Sequence, residues 1–265
     1  MSNTIDWGKI HYSSWSPETN LTGAGATPSF SNTQSVELDG IDAFVEVADA
    51  DNLSFGNGTT DSPFSISFWT KIAPTSQLTN VFLGKDSSSP NREYAIGMFA
   101  GSRKIRFFIK NQGGNNQQSI DSTNTISDNT WYHIVVTYDG SGGSNAADGM
   151  TIYINGNAET PTNVNKQSYT AMNNTSANFT IGKYNASSST INGKIDEVSI
   201  FDVELSQSDV TNIYNSSVPN DISSLSPLSW WRFEETSGLN AIDSGTGGND
   251  GILDNTVVRS TDVPT

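Results

Sequence analysis

Thr130-Trp131-Tyr132-His133-Ile134-Val135-Val136-Thr137-Tyr138-Asp139-Gly140, at the middle of a 265-residue chain, is the stretch whose reading decides the fold. Successive side chains of an extended strand point to opposite faces, so Trp131, His133, Val135 and Thr137 fall on one side and Tyr132, Ile134, Val136 and Tyr138 on the other. Both faces are largely apolar, which places this strand inside a layered structure. Gly193-Lys194-Ile195-Asp196-Glu197-Val198-Ser199-Ile200-Phe201 is a second strand of the same kind. Outward from these two, short alternating runs recur at 36–47, 64–72, 81–84, 94–99, 104–110, 150–154 and 179–183. Turn clusters at 111–118, 141–148 and 155–156 separate them, the pattern of an all-β antiparallel sandwich built from hairpins.

One helical signal follows, over 206–214, where Ser206 is placed to cap and Asp209 sits three residues on. Residues 1–32 read as an extended N-terminal arm, rich in Ser, Thr, Gly and Pro, with Trp7, Tyr12 and Trp15 as docking anchors. Residues 216–227 read as a linker, 228–235 as a further strand, and 243–251 as a Gly/Asp/Asn loop leading into Ile252-Leu253. About fifty residues cannot readily bury an adequate core alone, so the segment 216–265 is expected to pack on the sandwich.

Composition narrows the function classes. Apolar residues are 34% and charged residues 15% of the chain, leaving an unusually large share of Ser, Thr, Asn and Gly. A net charge of −15 repels nucleic-acid backbones and anionic membrane surfaces, so neither is an expected partner. With no cysteine, disulfides, thiolate metal sites and cysteine nucleophiles are all excluded. The opening residues carry no basic patch followed by an apolar run, so no secretory signal and no membrane insertion are expected, and the chain is expected to reach an exterior by another route.

Taken in order, Ser35-Val36-Glu37-Leu38-Asp39-Gly40-Ile41-Asp42, Phe64-Ser65-Ile66-Ser67-Phe68-Trp69, Trp131-Tyr132-His133, Ile152-Tyr153-Ile154-Asn155-Gly156 and the 194–201 strand resemble a laminin-G-like module of the concanavalin A-like lectin/glucanase jelly rolls. The resemblance covers residues 33–215 and implies a two-sheet jelly roll. In the family a W-x-F-x-E strand and a Gly-Asn-Asp-Gly loop precede the first of these pieces, whereas here residues 230–251 carry them after the last. That leaves two alternatives, a permuted jelly roll whose opening strand comes from the C-terminus and a compact extension. Trp230-Trp231-Arg232-Phe233 and the Gly247-Gly248-Asn249-Asp250-Gly251 loop also resemble laminin-G-like proteins of marine bacteriophage virions.

The resemblance implies a structural calcium held by Asp196, Asp243, Asn249 and Asp250, a hard cation suited to such oxygens. The alternative is that Asp243 and Asn249 make side-chain turns. Glu37, Asp39 and Asp42 approximate the E-x-D-x-x-E signature of retaining glucanases on this fold, but the third carboxylate is an Asp and Gly40 interrupts the strand, so a turn is expected. As strand neighbours, Asp196 and Glu197 are expected on opposite faces, unable to act together. His133, among apolar neighbours, is expected to be a core histidine. For sugar recognition the loop candidates are Tyr169, Tyr184, Asn115 and Gln117, offering rings and amides.

The expected function is therefore non-enzymatic: an exposed virion protein, for attachment or decoration, that recognises a glycan or a neighbouring virion protein. The alternatives are a glycoside hydrolase or polysaccharide lyase of the same fold and an extracellular bacterial carbohydrate-binding or adhesion protein. Homo-oligomerisation is left open.

Overall fold

The computed structural model describes residues 30–74, 80–99, 101–111, 116–184, 190–254 and 256–265. Trp7, Tyr12, Trp15 and Asn115 lie outside them. The chain divides into two units, Met1–Ser31 and Asn32–Thr265, and the strands and helix named below all belong to the second.

In chain order the strands begin with β1 (Ser35–Asp39), β2 (Val45–Val47), β3 (Phe64–Ile72), β4 (Asn80–Asp86), β5 (Arg92–Met98) and β6 (Lys104–Lys110). They continue with β7 (Gln117–Thr125), β8 (Trp131–Tyr138), β9 (Met150–Ile154), β10 (Asn157–Ala158), β11 (Thr162–Lys166) and β12 (Phe179–Ile181). Then come β13 (Asn192–Phe201), helix α1 (Gln207–Tyr214), β14 (Ser229–Trp231), β15 (Asn240–Ala241), β16 (Gly251–Leu253) and β17 (Val258–Ser260). They form two antiparallel sheets. An eight-stranded sheet has the order β10-β9-β8-β3-β13-β1-β17, with β14 also paired to β13, and a nine-stranded sheet has the order β11-β7-β6-β5-β4-β12-β2-β16-β15.

The period-two pattern dictates which side chains meet between the layers. From β3 and β8, Phe64, Ile66, Phe68, Ile134, Val136 and Tyr138 enter the core. Rings from the two sheets interlock there, Phe68 with Phe82 at 5.4 Å between centroids and Phe64 with Phe107 at 5.9 Å. On the opposite side of β8, His133, Val135 and Thr137 are buried as well. This outer surface of the eight-stranded sheet carries a second layer that includes Tyr214 of α1, which stacks on His133. The two-sided apolar character of β8 thus reflects core on one side and a covering layer on the other. The helix is set by a capping box, with Asp209 N–H donating to Ser206 Oγ at 3.2 Å and Ser206 N–H donating to Asp209 Oδ2 at 3.0 Å. It buries Val210 and Ile213 and ends at Asn215, whose φ of 43° is left-handed.

The expected run 36–47 is in fact two strands in different sheets. Asp39 Oδ1 accepts the N–H groups of Ile41, Asp42 and Ala43, and Gly40 takes a φ of 73°, so the chain turns out of β1 and crosses to β2 in the opposite sheet. The C-terminal strands feed both sheets. β14 pairs with β13 and β17 with β1, while β16 pairs with β2. Trp231 and Phe233 are fully buried in the common core, where Trp231 stacks on Phe179 at 5.4 Å. Burying rings of this size contributes about 1.5–3 kcal/mol each relative to exposure. The strand expected over 228–235 stops at Trp231, and Phe233 has a left-handed φ of 58°. Among the described residues no helix is long and apolar enough to cross a membrane.

Candidate functional site

The glucanase-like carboxylates do not form a catalytic row. Asp39 is the hub of the turn just described; partial burial pushes its carboxyl up, but the backbone N–H groups outweigh this and hold it below its ordinary value. Asp42 lies within that turn rather than on the strand. Glu37 sits on β1, 3.3 Å from Lys194 Nζ.

Asp196 and Glu197 depart from the alternation rule. The β13–β3 register slips between Asp196 and Ser199, and Glu197 has a left-handed φ of 48°, so an extra residue is accommodated as a bulge. Ile195 and Val198, on either side, both enter the core. The two carboxylates between them therefore turn to the same outer side of the sheet, which corrects the expectation of opposite faces. Neither is open to solvent, at 0% and 6% exposure. Asp196 accepts from Asn32 Nδ2 at 3.0 Å and from Glu197 N–H at 2.9 Å. Glu197 accepts from Trp230 Nε1 at 2.5 Å and Arg232 Nε at 3.3 Å. Burial, and then the neighbouring Glu197, push the Asp196 carboxyl well up. Burial likewise raises Glu197 to about 8, because one ion pair with Arg232 does not offset its loss of water.

The residues expected to hold calcium fall in two places. Asp243, Asn249 and Asp250 share one loop, which they tie to β14. Asp243 Oδ1 accepts the N–H groups of Trp230 and Gly245, its Oδ2 accepts that of Asn249, and Asp250 Oδ1 accepts that of Asp243, all at 2.8 Å. Asn249 Nδ2 donates to Ser229 Oγ, and its carbonyl accepts from Trp231 Nε1. Asp196 is engaged with Asn32 at the bulge. Among the described residues no three Asp, Glu or His side chains gather as a metal-holding group.

The sugar candidates also separate. Tyr169 is 4% exposed and its hydroxyl donates to Asp61 Oδ2 at 2.7 Å, as Tyr138 does at 2.8 Å, so its ring is a loop anchor and presents no open face. Tyr184 and Gln117 converge on Lys110. Gln117 lies opposite Lys110 in the β6–β7 pair, and Lys110 Nζ donates to Tyr184 Oη at 3.1 Å and Asp86 Oδ2 at 2.9 Å while sitting 4.3 Å from the Phe108 ring centroid. This network lies on the outer surface of the nine-stranded sheet, where Phe108, Val81 and Ala95 make a small apolar cluster apart from the core.

Along the same surface, β5, β4, β12, β2 and β16 place Ala95, Gly84, Thr180, Glu46 and Ile252 in one cross-strand row. At its far end is a groove of about 230 Å³ lined by Phe44, Glu46, Leu239, Ile252, Leu253 and Asp254. Ile252 and Leu239 are 54% and 45% exposed on its rim. Lys183 Nζ stands 4.1 Å from the centroid of the Phe44 ring. Two backbone bonds close the floor, Leu253 N–H to the Leu239 carbonyl and Asp254 N–H to that of Phe44. The sequence reading missed this groove, although Phe44-Val45-Glu46-Val47 alternates in a way that puts Phe44 and Glu46 on one outer face.

Two antiparallel sheets with a single short α-helix among the described residues define an all-β sandwich of the concanavalin A-like class. The chain belongs to the concanavalin A-like lectin/glucanases superfamily, whose model matches residues 39–211. Among solved structures it is similar to a candidate carbohydrate-binding protein from Bacteroides ovatus, with 17% identity and a TM-score of 0.59, the match covering 89% of this chain and 62% of that one. It is also similar to the binding domain of botulinum neurotoxin serotype G, with 16% identity and a TM-score of 0.50, covering 68% of this chain and 42% of that one. The chain thus spans less than two thirds of either, and at these identities the likeness is one of fold. No curated protein matches the sequence.

Proposed function

We propose that this chain is a non-catalytic carbohydrate-binding module and that the groove beside Phe44 is its recognition surface. The observation that carries this reading is the gathering of a ring, an ammonium and two carboxylates on an open, apolar-rimmed groove. A sugar presents both an apolar C–H face and hydroxyls, which such a surface meets with ring and aliphatic contacts on one hand and charged hydrogen-bonding partners on the other. Two sets of carboxylates support binding rather than turnover: among the glucanase-like ones Asp39 is committed to backbone hydrogen bonds, and the separate Asp196–Glu197 pair is shut away from any substrate.

The acidic, cysteine-free composition suits an exposed setting, and we place the protein on a virion exterior, or alternatively on an extracellular bacterial surface. A glycan microarray probed with the full chain tests the function. At least one arrayed glycan should lose its binding in Phe44→Ala, and incubation with β-glucans, agars or carrageenans should release no oligosaccharide. Equal signals from the parent and Phe44→Ala on every glycan bound would remove the groove as the site. Peptide mass spectrometry of purified virions separately decides the setting.

A further inference from the structure

A second hollow, of about 420 Å³, lies between the β9–β10 turn and α1, in the size range of small-molecule sites. Asn155 and Gly156, at φ 51° and 77°, form the tight turn of this hairpin. The cleft is lined by Asn155, Asn157, Gln207, Thr211, Tyr214 and Ser216, together with Gly156 and Ala158. Its walls are fixed from behind. Asn155 Oδ1 accepts His133 N–H at 2.9 Å, and Gln207 Nε2 donates to the Gly156 carbonyl at 2.8 Å, tying α1 to the turn. Tyr214 stacks on both Trp69 and His133 at 5.9 Å, and a side chain on Gly156 would meet the Tyr214 ring at 2.8 Å.

The lining is notable for its charge. In a chain of net charge −15, none of these residues is ionisable at neutral pH. His133 beneath the cleft is also neutral, since complete burial pushes its imidazole down to about 3. What the lining offers is amides and hydroxyls. Among the described residues, Asn155 Nδ2, Asn157 Oδ1, Gln207 Oε1 and Ser216 Oγ make no further hydrogen bond, so donors and acceptors remain side by side on a preformed wall.

We propose that this cleft is a binding site, separate from the Phe44 groove, for an uncharged polyhydroxylated ligand, namely a short segment of a neutral glycan. Alternating amide donors and acceptors match sugar hydroxyls, and an uncharged wall gains nothing from an ionic ligand. Binding here does not depend on the groove reading.

The test is isothermal titration of the full chain with cellohexaose, xylohexaose, laminarihexaose and maltohexaose, and with an alginate hexamer as the anionic control. At least one neutral hexaose should bind, with an affinity unchanged between low and high NaCl. Gln207→Ala should weaken it roughly tenfold, the scale of one lost hydrogen bond. Asn157→Trp, a change at an exposed position that fills the cleft, should abolish it without altering the melting temperature. Phe44→Ala should leave it unchanged. The proposal is overturned if no neutral hexaose binds, if the alginate hexamer binds best, if Asn157→Trp binds like the parent, or if Phe44→Ala alone removes binding. The last of these outcomes assigns the ligand to the groove and leaves the proposed function standing.

Discussion

Trp131 Nε1 donates to Asp262 Oδ1 at 3.0 Å, joining the middle of the chain to its last residues. The other oxygen of Asp262 accepts from Lys71 Nζ at 2.8 Å, with Lys194 Nζ at 3.5 Å, while its carbonyl accepts from Ser35 Oγ. One carboxylate thereby fastens the C-terminal segment to β3, β8 and β13. The clamp is partly solvated, however, and Trp231 and Phe233 supply the larger stabilisation from the core.

These two contributions separate by mutation. Asp262→Ala should cost no more than about 1 kcal/mol, because partly exposed ion pairs are screened and flexible. Trp231→Ala should cost about 3–5 kcal/mol, the scale of a buried ring deletion. Urea denaturation measures both, and similar costs for the two would show that the clamp holds the segment as firmly as the ring.

Deleting residues 226–265 should go further and leave no cooperative unfolding transition, since it removes strands from both sheets as well as the two rings. A truncated chain that melts like the parent would make the C-terminal strands dispensable.

The buried pair at the bulge sets a pH dependence. A carboxyl whose folded pKa is raised contributes stability that is fully present below its unfolded value and is lost as pH rises through the folded one. For Glu197 that window runs from 4.5 up to about 8. Glu197→Gln keeps an acceptor for Trp230 and Arg232 but cannot ionise, so it should gain stability relative to the parent as pH rises from 5 to about 9. Parallel stability–pH curves for the two proteins would show that Glu197 is not the group responsible.

The 243–250 loop yields a test of the metal question. Asp243→Ala removes three acceptor contacts to backbone N–H groups and should lower stability by about 2–4 kcal/mol, at about 1 kcal/mol or more each. If those contacts are its whole role, the loss is the same in calcium and in chelator. A melting temperature of the parent protein that rises with calcium and no longer does so in Asp243→Ala would make the loop a cation site.

Strands β3, β8 and β13 were legible because β-branched and aromatic residues alternate in them with a buried counterpart on each side. β7 and β11 were not: in Gln117–Thr125 only Ile120 reaches the core, and the strand is held by pairing with β6, which no local pattern reports. The bulge at Glu197 was hidden for a related reason, since one extra residue leaves composition untouched while reversing every later orientation. Tyr169 sits in a polar loop and reads as exposed; Asp61, 108 residues away, draws its hydroxyl inward. The groove combines Phe44 with Leu239 and Ile252, residues brought together only once β2 and β16 pair.

The pairing of β1 with β17 sets Ser35 opposite Ser260, so the sandwich receives its chain and releases it at neighbouring points on one edge. Tension applied between those two points would act across the strands and peel their hydrogen bonds apart in succession, whereas a pull along the strands would load the whole ladder at once. The β1–β17 seam is therefore the part of this sandwich expected to yield first under mechanical load, ahead of the interlocked strands of the core.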